Sequence, residues 1–289
     1  MFGKTKKQWV IQIVGTSYSG SSLLNLLLDS QPEIRGLGEA CHIYDHPGRL
    51  IECTTCRTAL ENCPFFKKID RTNIYKDCLR KYQCRIVVDS SKKVKMRSVL
   101  NPDLQTLVVF LSKSPHEFAH SYIRHNEGSD VKKAFEEYVY HYNILLRDFS
   151  HRALDELNIS HKIMVVTYRE LALHPSNIIQ RICALCDEPF LADAYEKWNE
   201  TDSHIVGGNG AVSRQVGDRK SFFETDPKYK GKKGKIFVDD YWRGDNAFIE
   251  ECRSAYRDFQ KDLDAILPLL HQPPTKELSE ELSLKLVAA

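Results

Sequence analysis

The sequence predicts an α/β fold, a central mostly parallel sheet with helices on both faces. Three observations predict it. Short apolar, β-branched runs recur along the chain: Val10–Val14, Arg85–Asp89, Thr106–Leu111 and His161–Thr167. Segments with helical spacing separate them, which is the pattern of strand–helix–strand units. The first run also passes through a Gly/Ser loop straight into Leu23–Leu28, reading as strand–loop–helix.

That first loop, Gly15-Thr16-Ser17-Tyr18-Ser19-Gly20-Ser21-Ser22, has the glycine spacing of a phosphate-binding loop. Ser22 fills the final hydroxyl position, but Ser21 stands where the lysine that reaches β/γ-phosphates is expected. The loop suits a 5′-phosphoanhydride at a helix N-terminus, and the layout is P-loop NTPase-like. It argues against ATP or GTP hydrolysis. Taken alone it also fits an ordinary strand–turn–helix corner.

With 289 residues, 42% of them hydrophobic, the chain has material for a sizeable core. We read residues 1–270 as a single domain and 271–289 as a tail, with no internal repeat. Net charge is +2, from 41 basic and 39 acidic residues, which gives no global case for nucleic acid or membrane. No stretch approaches the roughly 18 apolar residues of a membrane span, and the N-terminal apolar run is committed to the first strand. The expectation is a cytoplasmic protein without a signal peptide.

Pro32 ends the first helix, and Arg35-Gly36-Leu37-Gly38-Glu39 reads as a glycine-flanked connection. Residues 40–84 read as an irregular, cysteine-rich insertion with short helices, of the kind that lines a substrate cleft. Within it Cys53, Cys56 and Cys63 form C-x2-C-x6-C, out of nine cysteines in all. A zinc site, a local disulfide and unliganded thiols all stand as readings, the last ranking first. Cys183 and Cys186 share the two-residue spacing but fall in an apolar helical pattern.

The run ending at Asp89 is followed by Ser90-Ser91-Lys92-Lys93 and a helix to Leu100. Polar residues just past a strand lie at the carboxyl edge of an open α/β sheet, where ligands bind. Asp89 reads either as a magnesium ligand or as a helix cap. The next strand runs into Ser112-Lys113-Ser114-Pro115, and Pro115 suits a helix start. Lys113 and Ser121 are candidate phosphate contacts. Val131, Phe135, Tyr138, Tyr142, Leu145 and Phe149 define one long amphipathic helix whose aromatics belong to the core. Residues 201–235 read as a Gly/Lys-rich loop, with Arg214, Arg219 and Lys220 as anion contacts. Helical periodicity returns from Asp239 to Leu270.

Together these segments resemble the bacterial-type sulfotransferases that use 3′-phosphoadenosine 5′-phosphosulfate (PAPS). GTSYSGSSLLNLLL resembles their 5′-phosphosulfate loop, VVDSSKK their Asp-Ser-Ser-Lys segment, and FLSKSPHEFAHSYIRH their 3′-phosphate segment. VTYRELALHP, HIVGGNGAVSRQ and VDDYWR resemble later landmarks in the family's order, and CTTCRTALENCPFF resembles a Cys-rich insert of the same subgroup. The resemblance spans roughly residues 8–265. It implies PAPS as donor, no required metal, and transfer to a hydroxyl or amine on a carbohydrate, protein tyrosine, lipid or small metabolite. It implies donor contacts from Gly15 to Ser22, Lys113, Ser121 and Arg214, and Glu39 as the base, with His42 second. Family members commonly carry Lys or Arg where this chain has Tyr18, and Lys92 or Lys93 is the expected substitute. Lys113 replaces their arginine, keeping charge but losing the bidentate fork. Two other readings stay open: a P-loop kinase or NTPase with Asp89 on magnesium, and a non-catalytic PAPS-binding protein.

Overall fold

The computed structural model describes residues 7–45, 52–92, 100–198, 203–207, 247–250 and 252. Its strands are β1 (Trp9–Val14), β2 (Ile34–Gly38), β3 (Ile86–Asp89), β4 (Gln105–Ser112) and β5 (His161–Thr167). They form one five-stranded sheet in the order β2-β3-β1-β4-β5, and every neighbouring pair is parallel. The helices are α1 (Ser21–Asp29), α2 (Cys41–Asp45), α3 (Ile74–Tyr82), α4 (Pro115–His125), α5 (Val131–Phe149), α6 (His151–Asp155), α7 (Tyr168–Leu173), α8 (Pro175–Leu185) and α9 (Ala192–Tyr195). The predicted α/β class is the observed one.

Strand side chains alternate between two cores. Val10, Val87, Val108 and Val165 pack on one face with Ile74 and Leu79 of α3 and Leu145 and Phe149 of α5. Ile11, Val88, Val109 and Val166 pack on the other with Leu24 and Leu28 of α1 and Ile178 and Ile182 of α8. Each fully buried Val, Leu or Ile side chain contributes about 1.5–3 kcal/mol, so the two faces together hold the layers. Helices on both faces are the reason these strands read as continuous apolar runs.

Two strand-to-helix corners are locally specified. Ser114 caps α4 through a reciprocal capping box with Glu117, and Pro115 occupies the first turn. Thr167 caps α7 the same way with Glu170. Each is the S/T-x-x-E signature set directly after a strand, so the chain turns sharply at the carboxyl ends of β4 and β5.

The segment expected to be a connection, Arg35–Gly38, belongs to the edge strand β2. Its glycines are where α1 comes closest. A Cβ on Gly36 would lie 2.4 Å from Asn25 Nδ2. Asp29 Oδ1 accepts from the Gly36 N–H at 2.6 Å, and Asn25 Oδ1 accepts from the Gly38 N–H at 3.3 Å. Side chains of α1, rather than a β-branched run, fix this strand.

The insertion carries short helices, α2 and the nine-residue α3. Residues 203–207 join the sheet edge: Val206 pairs with Gly38 and with Cys53. Lys93, Arg214, Arg219 and Lys220, most of the 201–235 loop, and the 271–289 tail lie outside the described residues. No helix among the described residues is long and apolar enough to cross a membrane.

Candidate active site at the carboxyl edge of the sheet

β1 lies between β3 and β4. The chain leaves β1 toward β2 and leaves β4 toward β5, so the strand order reverses between β1 and β4. Open α/β sheets bind ligands outside the carboxyl ends of strands at such a point.

The 15–22 loop leaves β1 here. It closes tightly: the Ser19 N–H donates to Thr16 O at 3.3 Å. A Cβ on Gly15 would stand 2.4 Å from Leu111 O of β4, so this glycine permits loop and strand to touch. Gly20 has φ 92° and precedes α1 with no side-chain cap. A helix starting this way presents its leading N–H groups to an anion. Ser19 Oγ is buried with no hydrogen-bond partner among the described residues, which leaves it available to a ligand.

Tyr18 points its chemistry elsewhere. Its backbone is left-handed, with φ 62°. Its ring stacks on His125 of α4 at 4.7 Å and 22°, and its hydroxyl accepts from Asn126 Nδ2 at 3.3 Å. It joins the aromatic cluster of Phe118, Phe135, Tyr138 and Tyr142. Here Tyr18 braces the loop against α4.

The predicted pair Lys113 and Ser121 meets. Lys113 Nζ donates to Ser121 Oγ at 2.7 Å. The two residues are only 8% and 9% exposed, so neither is a solvated surface group. Lys113 Nζ also lies 4.7 Å from the centroid of the Tyr168 ring. Its backbone is held from α5: Tyr138 donates to Lys113 O at 2.7 Å, and the Lys113 N–H donates to the Tyr142 hydroxyl at 3.3 Å. The Tyr168 ring also covers Gly20, where a Cβ would stand 2.7 Å from it. Tyr168 therefore links the loop to the Lys113 corner. Sequence reasoning missed this tyrosine, although the capping box just after β5 marks its position.

A second group forms at the ends of β2 and β3. Lys92 Nζ donates to Glu39 Oε1 at 3.0 Å, and His42 Nε2 lies 3.1 Å from Glu39 Oε2. All three residues expected to carry chemistry thus meet at one carboxylate. Burial works against the charge on Glu39, but the His42 hydrogen bond and the Lys92 ammonium outweigh it and hold its pKa down to about 2.

The supporting shell is also legible. Asp89 is buried, and burial pushes its pKa upward. One of its oxygens accepts from Tyr75 at 2.7 Å, and the other accepts from the Ser91 N–H at 2.8 Å and from the Ser91 hydroxyl. Ser91 Oγ in turn accepts from the Cys41 N–H at 2.8 Å. These partners tie the Asp89 carboxylate to α3, to α2 and to the turn that carries Lys92. On the other side, the Glu39 N–H donates to Val206 O at 2.6 Å.

A scan against protein-family models gives no match, and neither does a search of curated proteins. Among solved structures, the sulfotransferase domain of the Synechococcus PCC 7002 olefin synthase is similar at 17% identity and a TM-score of 0.47, covering 87% of this chain and 96% of that one. The sulfotransferase domain of the curacin biosynthetic pathway gives 13% identity and a TM-score of 0.47, over 89% and 99%. A sulfotransferase of Mycobacterium tuberculosis H37Rv gives 15% and 0.43, over 68% and 72%. These similarities have low identity and TM-scores under 0.5, so the function of this chain is argued from its own side chains.

Proposed function

We propose that the protein transfers a sulfuryl group from PAPS to an acceptor hydroxyl. The observation that carries the reading is the pairing of two anion-adapted sites at one sheet edge. One is the lysine-free 15–22 loop; the other is the buried Lys113–Ser121 pair. A 5′-phosphosulfate and a 3′-phosphate on one nucleoside match two such sites, whereas a nucleoside triphosphate would want the missing loop lysine.

In the transfer, the acceptor oxygen bonds to sulfur as the bond from sulfur to the bridging phosphate oxygen breaks. The electron pair leaves on adenosine 3′,5′-bisphosphate, and the acceptor proton passes to Glu39. Catalysis of this kind is positioning and charge stabilisation. Lys92 is the cation for the departing charge, the task that Tyr18, committed to His125, does not take. Without donor, Lys92 stabilises the Glu39 carboxylate. As Lys92 turns to the sulfuryl oxygens, Glu39 loses the ammonium's share of its stabilisation and keeps the His42 hydrogen bond, so its pKa rises and it becomes a better base.

Calorimetry with adenosine 3′,5′-bisphosphate and with ATP tests the donor. The bisphosphate should bind at least as tightly as ATP, and binding of ATP alone would refute the reading. With a PAPS-competent acceptor found by intact-mass screening, Glu39→Gln should lower kcat by about 10²–10⁴ with little change in bisphosphate affinity. His42 within 3.1 Å of Glu39 favours one second reading, with His42 as base and Glu39 orienting it. In that case His42→Asn is the more damaging change.

A further inference from the structure

Outside the donor and acceptor groups, one cluster of ligating atoms stands out. The sulfurs of Cys53, Cys56 and Cys63 and a ring nitrogen of His204 all lie within 4.8 Å of one another. His204 Nδ1 is 3.3 Å from Cys63 Sγ and 3.5 Å from Cys53 Sγ. A tetrahedral zinc with Zn–S of about 2.3 Å and Zn–N of about 2.0 Å has ligand–ligand edges of about 3.5–3.8 Å. The two nitrogen–sulfur edges, 3.3 and 3.5 Å, are close to those of such a tetrahedron, and the other ligand atoms lie within 4.8 Å of one another.

The backbone is shaped for the same purpose. Cys53 to Cys56 form the tip of a small hairpin whose arms pair at Glu52 and Ala59. The Cys53 N–H donates to Thr58 O and the Arg57 N–H to Cys53 O, both at 2.8 Å. Arg57 takes a left-handed φ of 53° to close the turn.

The fourth ligand arrives from 141 residues beyond Cys63, and its pose is fixed. The His204 backbone N–H donates to the Tyr82 hydroxyl at 2.8 Å, and its ring stacks on Phe65 at 5.5 Å and 9°. The carbonyl of its neighbour Ile205 accepts from the Thr54 N–H at 2.8 Å. A single disulfide would use two of the three sulfurs and leave the third facing the imidazole. Four ligands with no open position make a closed, structural set.

We propose that Cys53, Cys56, Cys63 and His204 hold a structural zinc ion that clamps the insertion to the 203–207 segment. That segment supports the candidate base: Val206 pairs with Cys53 and Gly38, and its carbonyl accepts the Glu39 N–H. The ion would set the position of Glu39 without touching it.

The test uses the full chain, purified without chelator, and elemental analysis. One zinc per chain is expected. Cys56, the partly exposed cysteine of the three, is the thiol whose substitution disturbs packing least, and Cys56→Ser should lose the metal. Replacing zinc by cobalt in the parent chain should give the visible bands of a tetrahedral site and a thiolate charge-transfer band. His204→Cys should retain one metal and strengthen the charge-transfer band. Folded parent chain without zinc, a Cys53–Cys56 disulfide in the alkylated intact mass, or zinc content unchanged in Cys56→Ser would each overturn the proposal. None of these readouts depends on sulfuryl transfer, so this proposal and the donor assignment fail separately.

Discussion

Lys113→Met is the sharpest test of the donor site. Methionine keeps most of the stem's volume and flexibility and removes the ammonium. In the parent chain that ammonium lies in a site where Lys113 is 8% exposed, with Ser121 Oγ at 2.7 Å and the Tyr168 ring at 4.7 Å. Hydrogen bonds to charged groups contribute about 1.5–3 kcal/mol. At tenfold per 1.4 kcal/mol, affinity for adenosine 3′,5′-bisphosphate should fall by about 10- to 150-fold. Adenosine 5′-phosphosulfate, which lacks the 3′-phosphate, should bind as before. Stability without ligand should move the other way. A buried ammonium carries a desolvation cost that methionine does not, so urea unfolding of the variant should show an unchanged or higher midpoint. Calorimetry and unfolding together separate a donor contact from a structural lysine. Unchanged bisphosphate affinity with lower stability would make Lys113 structural and refute the assignment.

Three further outcomes are expected. Gly20→Ala should lower stability by about 1–3 kcal/mol, because φ is 92° and the new Cβ meets the Tyr168 ring at 2.7 Å; adding Tyr168→Ala should recover the steric part, read as a Tm difference. Glu39, depressed from 4.5 to about 2, favours the folded state above pH 4.5, and its contribution fades as pH falls toward 2; the stability gap between parent and Glu39→Gln should close over that window in acid titrations, and a gap independent of pH would contradict the ion-pair account. Tyr18→Lys forfeits the stack on His125, worth about 0.5–1.5 kcal/mol, and should lower Tm without raising turnover; a large rise in kcat would mean that the loop lacks its cation after all.

Much of the fold was legible because its signals are local. β1, β3, β4 and β5 are apolar runs covered on both faces, and α5 follows from a three-and-four spacing that ends at Phe149. β2 was not legible. Its residues after Ile34 are Arg-Gly-Leu-Gly, and the contacts that make it a strand come from Asn25 and Asp29 of α1 and from Val206. The candidate site divides along the same line. Lys113 and Ser121 are eight positions apart across a strand-to-helix corner, so position alone put both at the same sheet edge. Glu39 and Lys92 are 53 positions apart, and only the family resemblance singles out both. His204 carried no local signal: C-x2-C-x6-C offers three ligands, and a three-sulfur set by itself reads as free thiols.

Tyr18 is best understood through Lys92. A cation beside the departing group can come from the loop after β1 or from the strand edge beside it. In this chain the loop position has gone to an aromatic that stacks on His125 and accepts from Asn126, so the loop is braced by α4 rather than charged. In the proposed mechanism the cation comes instead from Lys92, just past β3, a residue with φ 57° in contact with the carboxylate proposed as base. Moving the charge there couples the two catalytic tasks. A loop lysine would bind donor whatever the state of the base, whereas the mechanism proposed for Lys92 trades its contact with Glu39 for one with the sulfuryl group. In the proposed mechanism donor binding and base activation then become one event, because the Glu39 carboxylate gives up the Lys92 contact that helps hold its pKa down.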